Sequence, residues 1–275
     1  WLKHSTGGPA YRMTPSARLL LGRLQRRGVF TKRCLQREVA LPHHYLSELR
    51  HGDLVFASEP HNDKEPLDRA VRAIGHATMD WLAERGVDIA RDDTAEHVGM
   101  VVADSTGHAT SIVEAVRLVG VRSLPLHAFF KEFMPGTRFF HGQMKGVSRD
   151  QARKAVSYAM RRVGAPYAEN LPNAGDFSPP DPLATTPWSQ AFYCSSLVDY
   201  AYREALEEEL VFTKEPFPLI YVPEGFWDEY YRKVGRPRPT GYGSNPTLLL
   251  HSHRVQYSAL FCEEDRAPEE VHELF

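Results

Sequence analysis

The run Glu96-His97-Val98-Gly99-Met100-Val101-Val102-Ala103, the turn-rich Asp104-Ser105-Thr106-Gly107 and then Ser111-Ile112-Val113-Glu114-Ala115-Val116 predict a β-hairpin. No other stretch limits the fold as tightly, because side chains alternate across a strand and the register decides which of them share a face. His97, Gly99 and Val101 line one face of the first strand; Ile112, Glu114 and Val116 line one face of the second. With the turn centred between Ser105 and Thr106, position 97 opposes position 114, which makes His97 and Glu114 cross-strand neighbours with Cβ atoms about 4.5–5.5 Å apart. A slip of one residue would send them to opposite faces.

The segment Ala191-Phe192-Tyr193-Cys194-Ser195-Ser196-Leu197-Val198-Asp199-Tyr200 starts a different pattern. Leu197, Val198, Ala201, Ala205 and Leu206 recur at the three-and-four spacing of a helix with one buried face, and Cys194 opens that face. In the first turn of a helix a thiol feels the positive end of the backbone dipole and the unpaired N–H groups, which raise its thiolate fraction. The plainer fate of a lone cysteine is to be buried as a small hydrophobe, so Cys194 needs partners. An imidazole to take the thiol proton and return it to a leaving group, and a carboxylate to orient that imidazole, would supply them. His97 and Glu114 are the candidates, with backbone N–H groups at the helix start as an oxyanion hole. Against this stands the structural reading of each, a histidine at a strand start and a glutamate turned to solvent.

Along the chain, Thr14-Pro15 to Gly28 reads as a capped helix with Arg18, Arg23, Arg26 and Arg27 on one side, a solvated face before it is a membrane-surface helix. Gly52-Asp53 turns into a buried strand at Leu54–Ala57, and Pro66 to Gly86 reads as helix around a tolerated Gly75. Leu126 to Phe133 predicts a short helix and Thr137 to His141 a strand. Ser148 with Gln151 makes a capping box for a helix that Gly164 ends. Asn170 to Pro187 is a proline-rich loop leading to Cys194, and aromatic residues with a basic run from Arg232 to Arg238 follow Leu210. His43-His44 and His251-Ser252-His253 lack companion ligands and read as surface histidines.

Composition removes several function classes. Thirty-three basic residues against thirty-five acidic ones give a net charge of −2, without the global electrostatic footprint of a nucleic-acid binder. Cys34, Cys194 and Cys262 allow at most one disulfide and have no zinc-finger spacing. Leu19–Leu21 and Leu248–Leu250 are far shorter than the roughly 18–20 apolar residues of a membrane span. The sequence opens at Trp1, so an export segment ahead of it would not be seen.

Taken together, Gly52-Asp53-Leu54-Val55-Phe56, His97-Val98-Gly99-Met100-Val101, Ile112-Val113-Glu114-Ala115 and Tyr193-Cys194-Ser195-Ser196-Leu197-Val198 resemble the NlpC-type papain-like cysteine hydrolases. In the unpermuted family the cysteine helix precedes the strand motifs; here it follows them, as in the circularly permuted YiiX-like and YebB-like branch. The resemblance spans about residues 49–206. It implies an α+β papain-like fold with permuted topology, a central antiparallel sheet packed against the cysteine helix. Residues 1–48 would form an N-terminal helical extension, 49–206 the catalytic core and 207–275 a C-terminal extension packing on it. It further implies Cys194 as nucleophile, His97 as general base and acid, and Glu114 as third member, with no metal or organic cofactor. Gly164-Ala165-Pro166-Tyr167 is similar to the family's approach to the cysteine loop, which makes Tyr167 a substrate-pocket residue beside Tyr193 and Ser195. Two departures bear on substrate contacts: Ala168-Glu169-Asn170 follows the tyrosine, and Ser196 stands where relatives usually carry glutamate.

The implied reaction is thiol-dependent hydrolysis of an amide, with a bacterial cell-wall peptide as substrate in a periplasmic or secreted setting. If the chain is an exported toxin, an immunity protein would be its partner. One alternative keeps the site and changes the substrate to a lipid acyl group, with peripheral membrane contact. Another is a non-catalytic binding module, which a wide separation of Cys194 from His97 would favour.

Overall fold

The computed structural model describes residues 43–60, 65–89, 93–117, 119–134, 136–168, 191–233, 235 and 237–262. The expected helix at 14–28, the loop at 170–187 and Cys34 lie outside the described residues, as do the side chains of His43, His44 and Cys262.

Six strands form one antiparallel sheet: β1 (Leu54–Ser58), β2 (His97–Ala103), β3 (Ala109–Val116), β4 (Gly120–Pro125), β5 (Arg138–Met144) and β6 (Val255–Cys262), in the order β4-β3-β2-β1-β5-β6. Around it run α1 (His43–Glu48), α2 (Pro66–Ala83), α3 (Leu126–Lys131), α4 (Arg149–Met160), α5 (Cys194–Leu206), α6 (Glu224–Lys233) and α7 (Pro246–Leu250). The arrangement is the α+β fold the sequence implied.

Alternation builds the core. Leu54, Phe56, Val98, Met100, Val113 and Ala115 belong to one cluster with Ala155, Val156 and Ala159 of α4 and Leu197, Val198 and Ala201 of α5. The intervening Val55, Ala57, Val101 and Ile112 are equally buried, so the central strands are covered on both faces and read as continuous apolar runs. Part of that second cover is α3, whose Phe130 meets Phe139 of β5 edge-on with ring centroids 4.9 Å apart.

The expected capping box is present: Ser148 Oγ accepts from Gln151 N–H, and the Gln151 side chain accepts from Ser148 N–H. α2 stops at Ala83 rather than at Gly86, because a turn ending on Gly86 at φ +74° takes over. The fifth strand runs on to Met144 because β6 pairs with it along its length. The sheet therefore draws its outermost strand from the segment beyond 206. α7 and Val211, Phe212 and Phe217 also enter the core cluster. His251 is a correction: it is buried, not on the surface, and its Nε2 lies 2.7 Å from the Asp93 carbonyl oxygen.

Candidate active site

The hairpin register differs from the expected one by two residues. Met100 pairs with Val113, Val101 with Ile112 and Val102 with Ser111, and a bulge between Val102 and Ala103 resets the pairing toward the turn. Continued along the strands, this sets Gly99 against Glu114 and His97 against Val116, so His97 and Glu114 are diagonal neighbours. A shift of two preserves the face, and the longer side chains close the gap. His97 Nε2 lies 2.5 Å from Glu114 Oε2. The Cys194 thiol lies close enough to act on the imidazole together with Glu114.

Glu114 is only 2% exposed, and a carboxylate buried so deeply needs more than one partner. Arg122 supplies the second. It lies directly across the β3–β4 ladder, donates from Nε to Glu114 Oε1 at 2.8 Å and is held on its far side by both carboxylate oxygens of Glu132. The chain is thus Cys194–His97–Glu114–Arg122–Glu132. Burial pushes the Glu114 carboxyl up, but His97 and Arg122 outweigh it and hold it below the usual range. Burial likewise pushes the His97 imidazole down, and is outweighed by the hydrogen bonds and negative charges of Cys194 and Glu114, which carry it up to about 10. Phe129 and Phe133 flank the ring at centroid distances of 6.1 and 5.7 Å, limiting its rotation.

Cys194 is the first residue of the thirteen-residue α5, and is 6% exposed. The helix start is held from three sides. Ser196 Oγ accepts from Tyr193 N–H at 2.9 Å and bonds the Tyr193 carbonyl oxygen, the reach-back that a glutamate at this third position would make with a longer side chain. Tyr193 Oη accepts from Ser244 N–H at 3.0 Å, and Ser244 Oγ donates to Ser195 Oγ at 3.1 Å. The Tyr167–Phe192 bridge, with Ala168 N–H to the Phe192 carbonyl and Phe192 N–H to the Pro166 carbonyl, brings the Gly164–Tyr167 turn alongside the cysteine loop.

Of the residues expected at the site, Cys194, His97 and Glu114 come together. Tyr167 and Tyr193 lie beside them, both half-buried. Ser195 does not open onto the site. Its side chain is fully buried against Ser244, so it packs the loop and is out of a substrate's reach. Arg122, Glu132 and Ser244 were not anticipated. The opposite charges of Glu114 and Arg122, either side of the turn that Gly120 closes, were the available signal for the first.

Chemically the arrangement can move a proton between sulfur and imidazole, keep the resulting imidazolium against a fixed carboxylate, and offer first-turn N–H groups, which lack partners within the helix, to a developing oxyanion. The family model described as permuted papain-like amidase enzyme, YaeF/YiiX, C92 family, matches residues 48–219. No curated protein matches the sequence significantly.

Proposed function

The chain belongs to the permuted papain-like amidases of the YaeF/YiiX family, and we propose that it cleaves an amide of a bacterial cell-wall peptide through Cys194, His97 and Glu114. It is an enzyme of the papain-like thiol hydrolase type. The observation that carries the site assignment is the His97 ring, bonded to Glu114 at 2.5 Å through Nε2 and close enough to Cys194 for the thiol to act on it.

In this reading Cys194 Sγ gives its proton to His97 and attacks the amide carbon. The tetrahedral oxyanion lies against the N–H groups at the start of α5. Imidazolium His97 protonates the leaving nitrogen as the C–N bond breaks, leaving a thioester and neutral imidazole. Water then loses a proton to His97, attacks the thioester carbon and releases the carboxylic acid while the proton returns to sulfur. Glu114 stays ionised throughout and fixes the ring, with Arg122 fixing Glu114 in turn.

The cell-wall substrate rests on the resemblance to NlpC-type hydrolases. Its test is incubation of wild type and Cys194→Ala with purified peptidoglycan and, in parallel, with phospholipid vesicles, followed by mass spectrometry. Peptide fragments released by wild type alone, at a rate at least about 10³-fold above Cys194→Ala, are the expected result. Fatty acid or lysolipid released instead would move the assignment to lipid acyl chemistry. Equal products from both proteins would remove Cys194 as nucleophile.

A further inference from the structure

A cavity of about 590 Å³ opens between the end of α2, the 212–215 segment and the start of β6. None of Cys194, His97 and Glu114 lines it. Its floor is apolar, with Leu82, Phe212, Leu250 and Val255 all buried and Trp81 and Val87 half-buried around them. A depression of this size with a continuous apolar floor is the usual form of a small-molecule site.

The rim carries the opposite character. Lys145, Lys214 and His253 converge there, close enough that both lysines, with Arg254, act electrostatically on the His253 ring. Neither lysine has an ion-pair partner among the described residues, whereas the third rim cation, Arg85, is bonded to Glu215 and stacked 3.9 Å over Trp81. Arg254 is bonded to Glu208. The remaining rim acid is Asp88. The two lysines thus gather like charge at the mouth of an apolar hole, beside a His253 ring that burial and these cations hold toward its neutral form, an arrangement that an anion seated between them would relieve.

We propose that this cavity is a second, non-catalytic site for an anionic amphiphile, a fatty-acid-like carboxylate whose alkyl chain fills the floor and whose head lies between Lys145 and Lys214. The inference is independent of which amide the Cys194 site cleaves. α7 spans the two places: Ser244 and Asn245 at its start bond the cysteine loop and cap the helix, and Leu250 and Ser252 at its end line the cavity.

The test is titration of the intact protein with octanoate, decanoate and neutral decanol, followed by calorimetry and by Trp fluorescence. Two added methylenes tighten binding roughly ten- to fifteen-fold from octanoate to decanoate. Lys145→Glu with Lys214→Glu weakens decanoate about tenfold and leaves decanol unchanged, and raising the salt concentration weakens decanoate alone. Val87→Trp, which fills the mouth, abolishes both. Alkylating Cys194 changes none of these values. Decanol binding as tightly as decanoate, affinity independent of chain length, or decanoate lost on alkylation of Cys194 would each overturn the proposal; the last would put the amphiphile in the catalytic cleft.

Discussion

Glu114→Gln is the substitution that most directly tests the electrostatics of the site. Glutamine keeps an oxygen able to face His97 Nε2 but removes the charge that lies 2.5 Å away. Unit charges about 4 Å apart at an effective dielectric of about 20 interact by roughly 4 kcal/mol, equivalent to about three pKa units. Arg122 would no longer be balanced by Glu114, although Glu132 still holds it. The imidazole should therefore fall from about 10 in the wild type by roughly two to three units. The assay is titration of the His97 ring by NMR and, once a substrate is in hand, the basic limb of kcat/KM. In wild type the basic limb lies near 10, where the imidazolium is lost. In Glu114→Gln it moves down to about 7–8. Thermal stability carries the same sign. The raised His97 value contributes stability that is fully present below 6.5 and disappears as pH rises through about 10, and the variant loses that contribution at a lower pH. A basic limb displaced by less than about half a unit would refute Glu114 as the electrostatic partner of His97.

Arg122→Met leaves Glu114 with His97 alone; because Arg122 is 24% exposed and one partner survives, the expected loss by urea unfolding is about 2 kcal/mol, below the 3–5 kcal/mol of a fully orphaned buried charge. Glu114 is held below its usual range, so its stabilisation is present above about 4.5 and lost as pH falls; in Arg122→Met acid unfolding should begin at higher pH than in wild type. Gly120→Ala should cost about 2 kcal/mol or more in the same assay, since Gly120 sits at φ +92° and an added Cβ would stand 2.3 Å from the Ala165 carbonyl oxygen. Ser196→Ala strips Tyr193 N–H of its acceptor, and a loss of about 1 kcal/mol in chemical denaturation is expected, with faster exchange of that amide.

The parts of the site written in local sequence were legible, and the parts made by pairing were not. Cys194 at a helix start and the Ser148 capping box follow from spacing alone. The hairpin was legible too, but its register was not. Asp104 Oδ1 gathers the N–H groups of Thr106 and His108, and the bulge at Val102 absorbs a residue, displacing the centre of the pairing from where the turn residues suggest. The error was an even number, so His97 and Glu114 stayed on one face. Arg122 was missed because β4 is short and mixed in polarity, so no alternation marks it. Its partner is recognised only once Gly120 is seen to close a turn. The buried place of His251 depends on the Asp93 carbonyl, 158 positions earlier, which no local pattern reports.

The clamp on the cysteine loop also sets an order in time. Ser195 and Tyr193 are bonded by Ser244, 49 and 51 positions later in the chain, and Thr247 bonds both the N–H and the carbonyl of Ala95 just ahead of His97. Ribosomes deliver these residues, and β6 after them, when every strand and helix bearing Cys194, His97 and Glu114 has already been made. A nascent chain, or one clipped after residue 240, therefore carries the complete motif without its finished setting. In this permuted order the nucleophile is seated by residues synthesised well after it, so its setting waits on the segment from 244 to 247.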